Sequence, residues 1–351
     1  MSIPSVLAIT LGDPVGIGPE ITAKTLHEFS AQRAFRPVAV GDASALRAGA
    51  KAAGINAEVR VIRDFATPPT GSGVLDIYDT GVLGTLAPGD ADLPWGTVDA
   101  RAGKAAVTAI ETATRAAMNQ QVAGIVTGPI NKEAIWAAGI KHLGHTELLG
   151  ELTGAKHSDT MFVIRTEKAH HLRIFFATRH LSLRQALDKL TIEGQLDSIR
   201  RAVEALQVYG VAKPRLAVAA VNPHGGEGGA FGDEEIRIVT PACEAARAEG
   251  LPVFGPIPAD SVFHQGIEGR YDGVLSQYHD QGHIASKTYD FHGTISVTVG
   301  LPILRTSVDH GTAFDIAGQG KADHGTMRSA YLAAVDYAPF VPQIRAAYLP
   351  S

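Results

Sequence analysis

The sequence predicts an α/β fold of two domains, each built on a mainly parallel central sheet with helices on both faces. Three observations carry that expectation. Apolar, β-rich runs alternate with stretches of helical periodicity along the chain, the pattern of repeated strand–helix units. Several of the strand runs are nearly continuous in apolar residues instead of alternating, which suits strands covered on both faces. The chain has 351 residues, too many for one small core and enough for two α/β domains of ordinary size.

Strands are expected, in order, at 6–11, 37–41, 59–62, 122–126, 160–164, 171–177, 215–221, 273–277 and 294–299, each a short run built around Val, Ile, Leu or Phe. Helices are expected at 19–29, 43–53, 98–118, 131–138, 146–152, 192–207, 234–249 and 326–335. Pro19 stands at the first turn of its helix, where the missing N–H costs nothing. Residues 64–97 are rich in Gly, Pro, Asp and Thr and read as loops enclosing one short strand. No internal repeat or low-complexity segment is found.

Apolar residues make up 45% and charged residues 19%, a globular balance. The net charge is −5 and no run of Lys or Arg forms a nucleic-acid track, so an anionic ligand must find its positive charge locally. The lone cysteine, Cys243, falls in the helix expected at 234–249 and reads as buried filler that cannot form an internal disulfide. The first residues carry no basic region, the run at 6–11 is too short for a signal peptide or a membrane span, and no 18-residue apolar stretch occurs. A cytoplasmic protein with neither membrane nor nucleic-acid partner is expected.

The loop Gly12-Asp13-Pro14-Val15-Gly16-Ile17-Gly18-Pro19-Glu20 follows a strand and opens a helix. It fails as a dinucleotide fingerprint, because Gly16-x-Gly18 requires a glycine at 21, where Ile21 stands. Its glycines suit either a closely approaching ligand or a tight turn. The 14 histidines say more. His180, His224 and His279 each lie just past an apolar run, and loops at the carboxyl ends of parallel strands converge on the ligand crevice. Singly, each reads as a hydrogen-bonded structural residue; together they make a candidate metal site with positions open for substrate oxygens. Segment 221–229 is too glycine-rich for a helix and either turns tightly or binds something. In Gly144-His145-Thr146-Glu147, Thr146 can cap the following helix, or with His145 can hold a phosphate at its positive end. Lys287 and Arg305 read as loop cations, the first near His279 and the second after the strand ending at Val299.

Seven motifs in order carry a resemblance. They are Ile9-Thr10-Leu11-Gly12-Asp13-Pro14, Thr127-Gly128-Pro129-Ile130-Asn131-Lys132, Gly144-His145-Thr146-Glu147, Thr178-Arg179-His180-Leu181, Asn222-Pro223-His224, Tyr278-His279-Asp280-Gln281-Gly282 and Arg305-Thr306-Ser307-Val308-Asp309-His310-Gly311-Thr312-Ala313. On these the chain resembles the 4-hydroxythreonine-4-phosphate dehydrogenase family of pyridoxal phosphate (pyridoxine) biosynthesis. Segments 16–20 and 310–320 also resemble the wider isocitrate and isopropylmalate dehydrogenase superfamily, in which the second packs around the cofactor's adenosine.

The resemblance implies an isocitrate/isopropylmalate dehydrogenase-like fold of two α/β/α domains that binds NAD(P) without a Rossmann fingerprint. Residues 1–130 plus 290–351 would form the cofactor-side domain. Residues 131–289 would carry the metal ligands and the interface of a homodimer. The active site would lie in the interdomain cleft, at the subunit interface. His180, His224 and His279 would bind one divalent metal per subunit; imidazole ligands favour zinc, and hard substrate oxygens leave magnesium, manganese and cobalt open. His145, Thr146, Lys287, Ser296 and Arg305 would contact the substrate, a small phosphorylated hydroxy acid. Gly12, His310, Gly311 and Asp323 would line the cofactor, with NAD preferred to NADP because no Arg cluster near segment 310–320 suits a 2′-phosphate. Asp280 and Lys287 are both candidates for moving protons.

The implied reaction is metal-dependent oxidation of a phosphorylated 3-hydroxy acid followed by decarboxylation, taking 4-hydroxy-L-threonine 4-phosphate to 3-amino-2-oxopropyl phosphate. Two departures bear on the substrate. Ser296 replaces the family's substrate-contacting Asn, and Arg179 replaces a small hydroxyl residue before the first metal histidine. Gly12-Asp13-Pro14 and Ala313-Phe314-Asp315-Ile316 look more like a branch acting on D-threonate or D-erythronate 4-phosphate in sugar-acid catabolism, which is the alternative. A three-histidine metallohydrolase is the alternative from another class; it would have no use for an adenosine-type segment at 310–320.

Overall fold

The computed structural model describes residues 3–84, 94–142, 144–168 and 170–350. The chain divides into two compact units, Met1–Asp159 with Ile295–Ser351, and Thr160–Thr294.

The first unit begins with β1 (Val6–Thr10), α1 (Gly18–Glu28), β2 (Arg36–Gly41), α2 (Ala43–Ala52), β3 (Glu58–Ile62), β4 (Val74–Asp79), α3 (Ala100–Met118), β5 (Gly124–Thr127), α4 (Lys132–Ala137) and α5 (His145–Thr153). The second unit holds β6 (Asp159–Arg165), β7 (His171–Phe176), α6 (Leu183–Asp188), α7 (Ile192–Val208), β8 (Leu216–Ala219), α8 (Thr240–Ala248), β9 (Val253–Ile257), α9 (Ala259–Ile267), β10 (Gly273–Ser276) and α10 (His279–Tyr289). The chain then returns to the first unit with β11 (Ile295–Val299), β12 (Leu304–Ser307), α11 (Gly325–Tyr337) and α12 (Val341–Tyr348).

Strands of the first unit run in the order β3-β4-β2-β1-β5-β12-β11, parallel except for the antiparallel pair β11–β12. Strands of the second run β6-β7-β10-β8-β9, parallel except for β6–β7. The expectation of mainly parallel α/β sheets is met for the reason given: β1, β2 and β5 are buried along their whole length, which only layers on both faces can achieve.

The boundary expected at 130/131 falls instead at 159/160, and that expected at 289/290 falls at 294/295. The cause of the first shift is packing. Ile135 of α4 and Leu148 and Leu149 of α5 belong to the same core as Val107, Ile110 and Ala113 of α3. Gly103 of α3 lies so close to the backbone of α4 that any Cβ would collide with the Ala134 carbonyl. Burying side chains of this size contributes about 1.5–3 kcal/mol each, which holds α4 and α5 to the first unit.

Other differences have local causes. The helix expected at 234–249 is a π-turn at Glu235–Val239 followed by α8. Pro241 has no N–H for the ordinary ladder, and a wider turn accommodates it. In 64–97 the one expected strand is β4; residues 85–93 lie outside the described residues. Among the described residues, no helix is long and apolar enough to cross a membrane.

Candidate functional site

The candidate residues fall into two sets, one in each unit. In the first unit the centre is Arg305. It was expected on a loop; it lies on β12, only 5% exposed. Its Nε and Nη2 donate to Thr127 Oγ1 at 3.1 and 2.7 Å, and its Nη1 donates to Thr298 Oγ1 at 2.8 Å. These partners are neutral hydroxyls, and no carboxylate pairs with it among the described residues. Burial pushes the guanidinium down to about 9, which still leaves it cationic at neutral pH. An interior cation without a counter-ion is costly and asks for an anion.

His145 opens α5, and its Nε2 is shielded from solvent with no hydrogen-bond partner. Burial first, and then the Arg305 charge, hold its imidazole well below the ordinary value. It therefore stays neutral and can offer one N–H to a ligand. Thr146 follows in the first turn but does not cap the helix: Gly144 is the N-cap, without a side-chain bond. Ser296 lies buried on β11, opposite Ser307 of β12.

The proposed cofactor positions share this unit. Thr312 O accepts from Ile17 N–H at 3.0 Å, and a Cβ on Gly16 would meet the Thr312 side chain. Glu20 accepts from the N–H groups of Gly320 and Ala322, while Lys24 Nζ donates to Glu20 and to both of those carbonyls. The first glycine loop is thus a bed for segment 310–323. Gly12 has φ +70° and its Cβ would strike the Pro129 carbonyl, so backbone packing by itself explains that glycine. Gly311 has open space around it. His310 Nδ1 is 2.9 Å from Gly311 O, and Asp323 Oδ1 accepts from Gly325 N–H at the start of α11. Asp13 in the same loop is fully buried; Oδ1 accepts from Val15 N–H while Oδ2 has no partner, and burial raises its carboxyl to about 6.

In the second unit, three neighbouring parallel strands, β7, β10 and β8, end just before His180, His279 and His224. Side-chain amides tie the strand ends together. Gln277 Nε2 donates to Ala219 O at 2.7 Å, Gln281 Nε2 to Ala220 O at 2.8 Å, and Thr178 Oγ1 to Gln277 O at 2.8 Å. The rings of His180 and His279 are 5.7 Å apart between centroids, beside a cavity of about 220 Å³ that Arg179 and Asp280 also line. His283, one turn along α10, stacks on His279 at 3.6 Å. Sequence reasoning missed it; its i+4 spacing from His279 was the available signal. His224 lies in the glycine-rich loop, its side chain 65% exposed and 3.2 Å from Glu227. Glu234 and Glu235 anchor that loop through Asn222, also unforeseen. His180 and His224 both have left-handed backbone, φ 52° and 55°, a conformation that histidine adopts more readily than most non-glycine residues.

Lys287, expected on a loop, is in the last turn of α10, 5.4 Å over the Phe291 ring. Asp280 is in the first turn, 2.7 Å from His279 Nδ1. A divalent ion was expected on the three histidines. The His180–His279 pair suits two donors on one ion, but among the described residues no three His, Cys, Asp or Glu are gathered to hold a metal. His224 sits on a separate, exposed loop, so the fit within one chain is incomplete.

Two units of parallel α/β structure, with candidate groups near strand ends, define the class: a two-unit α/β protein whose polar candidate groups gather where parallel strands present ligand sites. The chain belongs to the family described as pyridoxal phosphate biosynthetic protein PdxA, whose model matches residues 33–334. It is 53% identical over 345 residues to a Cutibacterium acnes protein named "Putative D-threonate 4-phosphate dehydrogenase", covering 98% of this chain and 97% of that one. The crystal structure of 4-hydroxythreonine-4-phosphate dehydrogenase from Klebsiella pneumoniae matches with a TM-score of 0.84 and 43% identity, over 96% of this chain and 99% of that one. A terephthalate 1,2-cis-dihydrodiol dehydrogenase from Burkholderia xenovorans matches with a TM-score of 0.60 and 30% identity, over 93% and 98%.

Proposed function

We propose that the chain is an NAD(P)-dependent dehydrogenase of a small 4-phosphorylated hydroxy acid. The observation that carries this is Arg305, a buried cation held by hydroxyls beside a neutral, unpartnered His145. Such a pair accepts an anion through charge-assisted hydrogen bonds worth roughly 1.5–3 kcal/mol each. Thr146 would supply a further donor to the phosphate.

Asp280 and Lys287 are the candidates for taking the proton of the C3 hydroxyl, and a bound nicotinamide would supply the hydride acceptor for C3. The 3-oxo acid then breaks its C1–C2 bond, releasing CO2, and C2 takes up a proton. Segment 310–323, with His310, Gly311 and Asp323, would hold the cofactor's adenosine. His180, His279 and His224 are the proposed metal donors; a divalent ion there would supply polarisation of the reacting oxygens. Exposed Leu181, Leu183, Phe231 and Ile284 surround the histidine-bearing segments and suit burial in a homodimer.

Ser296 favours D-threonate 4-phosphate as substrate, in line with the name of the 53% identical relative: a short hydroxyl stands where the family's Asn would meet the C2 amine of 4-hydroxythreonine 4-phosphate. The latter is the second reading, favoured by the name of the Klebsiella structure. The test follows nicotinamide reduction with D-threonate, D-erythronate and 4-hydroxythreonine 4-phosphates, their dephosphorylated forms, and added divalent metal. Reduction with none of them rejects the reading. Equal rates with and without phosphate reject Arg305 as its anchor.

A further inference from the structure

We propose that Thr127 and Thr298 are positioning residues that aim Arg305 at the anionic group of the substrate, an inference that rests on Arg305 being that group's anchor. A guanidinium has five N–H donors. Three are taken here, two by Thr127 Oγ1 and one by Thr298 Oγ1. Two remain for a ligand. Holding an interior arginine with a carboxylate would neutralise it; hydroxyls orient it and leave its full charge.

The hydroxyl of Thr127 has a fixed direction. It accepts twice from Arg305, so its own proton goes to the nearer of two acceptors, Ser307 Oγ at 2.9 Å against Thr306 O at 3.5 Å, and Ser307 donates onward to Val308 O at 2.9 Å. A backbone carbonyl therefore sets the polarity of the whole chain, and Thr127 presents only lone pairs to the guanidinium. Thr127 ends β5, paired in register with Ser307 of β12, and Thr298 lies on β11, the neighbour of β12 on its other side. Three adjacent strands supply the hydroxyls, and groups on strands hold an aim more narrowly than groups on loops. A β-branched residue at each position also has few rotamers to lose. Nothing about a Thr in a buried strand requires this role: Val fills the same space and suits the strand equally well.

The experiment uses the full chain and the variants Thr127→Val, Thr127→Ser, Thr298→Val and Arg305→Met. Inorganic phosphate is titrated by calorimetry, and KM and kcat are measured with the best phosphorylated substrate. Thr127→Val is expected to weaken phosphate about tenfold, as fits the loss of two hydrogen bonds, and to raise KM similarly with kcat changed less than about threefold. Thr127→Ser keeps the hydroxyl and should stay within about threefold of the parent. Thr298→Val should fall between them. Parent-like phosphate affinity in Thr127→Val overturns the proposal, and so does an equal loss in Thr127→Ser, which would make packing the cause. If Thr127→Val does not fold, parent-like affinity in Thr298→Val overturns it. Arg305→Met with undiminished phosphate binding would instead sink the anchor itself. The phosphate titration assumes nothing about the reaction, so failure of the dehydrogenase reading leaves this test intact.

Discussion

The two units present their candidate groups in opposite ways. In the first, Arg305 is buried on a strand, held by hydroxyls from adjacent strands, beside a shielded His145. In the second, His180 and His224 lie on segments that follow strands and His279 opens α10, the first two with left-handed backbone and His224 mostly exposed. The first arrangement is complete before any ligand arrives. The second brings two imidazoles together and leaves the third on its own loop. The difference teaches that a buried cation can be fixed within a sheet by its neighbouring strands, while the placing of the three histidines depends on the segments that follow the strands.

The sharpest way to break this comparison is Arg305→Met. Losing two charge-assisted bonds to phosphate should lower kcat/KM by roughly a thousandfold. Removing an interior cation that has no counter-ion should at the same time raise the melting temperature by a few degrees. Lower activity with a lower melting temperature would mean that Arg305 is structural. His180→Ala and His279→Ala come next, each expected to reduce metal-dependent turnover by about a hundredfold with an unchanged melting temperature in chelator. His224→Ala decides whether the third loop joins the pair: full activity and unchanged metal affinity would remove it from the set.

Asp13 extends the contrast to a second buried charge site of the first unit. Its carboxyl, raised to about 6 from 3.8 by burial, keeps its proton in the folded chain where the unfolded chain has lost it. The contribution of Asp13 to folding stability therefore falls as pH rises from 3.8 to about 6 and is level above that. Relative to Asp13→Asn, the parent should lose on the order of 3 kcal/mol across that window. Urea melts of both proteins at pH 4, 5, 6 and 7 measure it, and a constant difference would mean that Asp13 is not buried as a proton-bearing acid. The smallest effect is expected at Gly311, where open space admits a side chain. Gly311→Val should raise cofactor KM several-fold, about 1 kcal/mol, with substrate KM and melting temperature unmoved. Gly12→Ala, which must push against Pro129, should instead destabilise the chain.

Some of this was legible early and some was not, for identifiable reasons. His180, His224 and His279 were found because each follows an apolar run, and apolar runs mark strands whose carboxyl ends lie together. Arg305 was misread as a loop cation because β12 is four residues, Leu304-Arg305-Thr306-Ser307, three of them polar. Lys287 was misread because α10 has little apolar periodicity to announce a helix. Thr127 and Thr298 carry no signal at all in a list of strand residues.

By itself, the sequence determined the parallel α/β architecture, the order of most elements and the family motifs, since these follow from local runs, turn residues and spacing that neighbouring residues enforce. Only the tertiary structure decided that Arg305 is interior and held by Thr127 and Thr298, that α4 and α5 belong to the first unit, and that the first glycine loop supports segment 310–323. Those facts depend on contacts between residues up to 302 positions apart, such as Glu20 with Ala322. Burial and hydrogen-bond partnership are properties of where strands and helices meet, and no local pattern fixes that meeting.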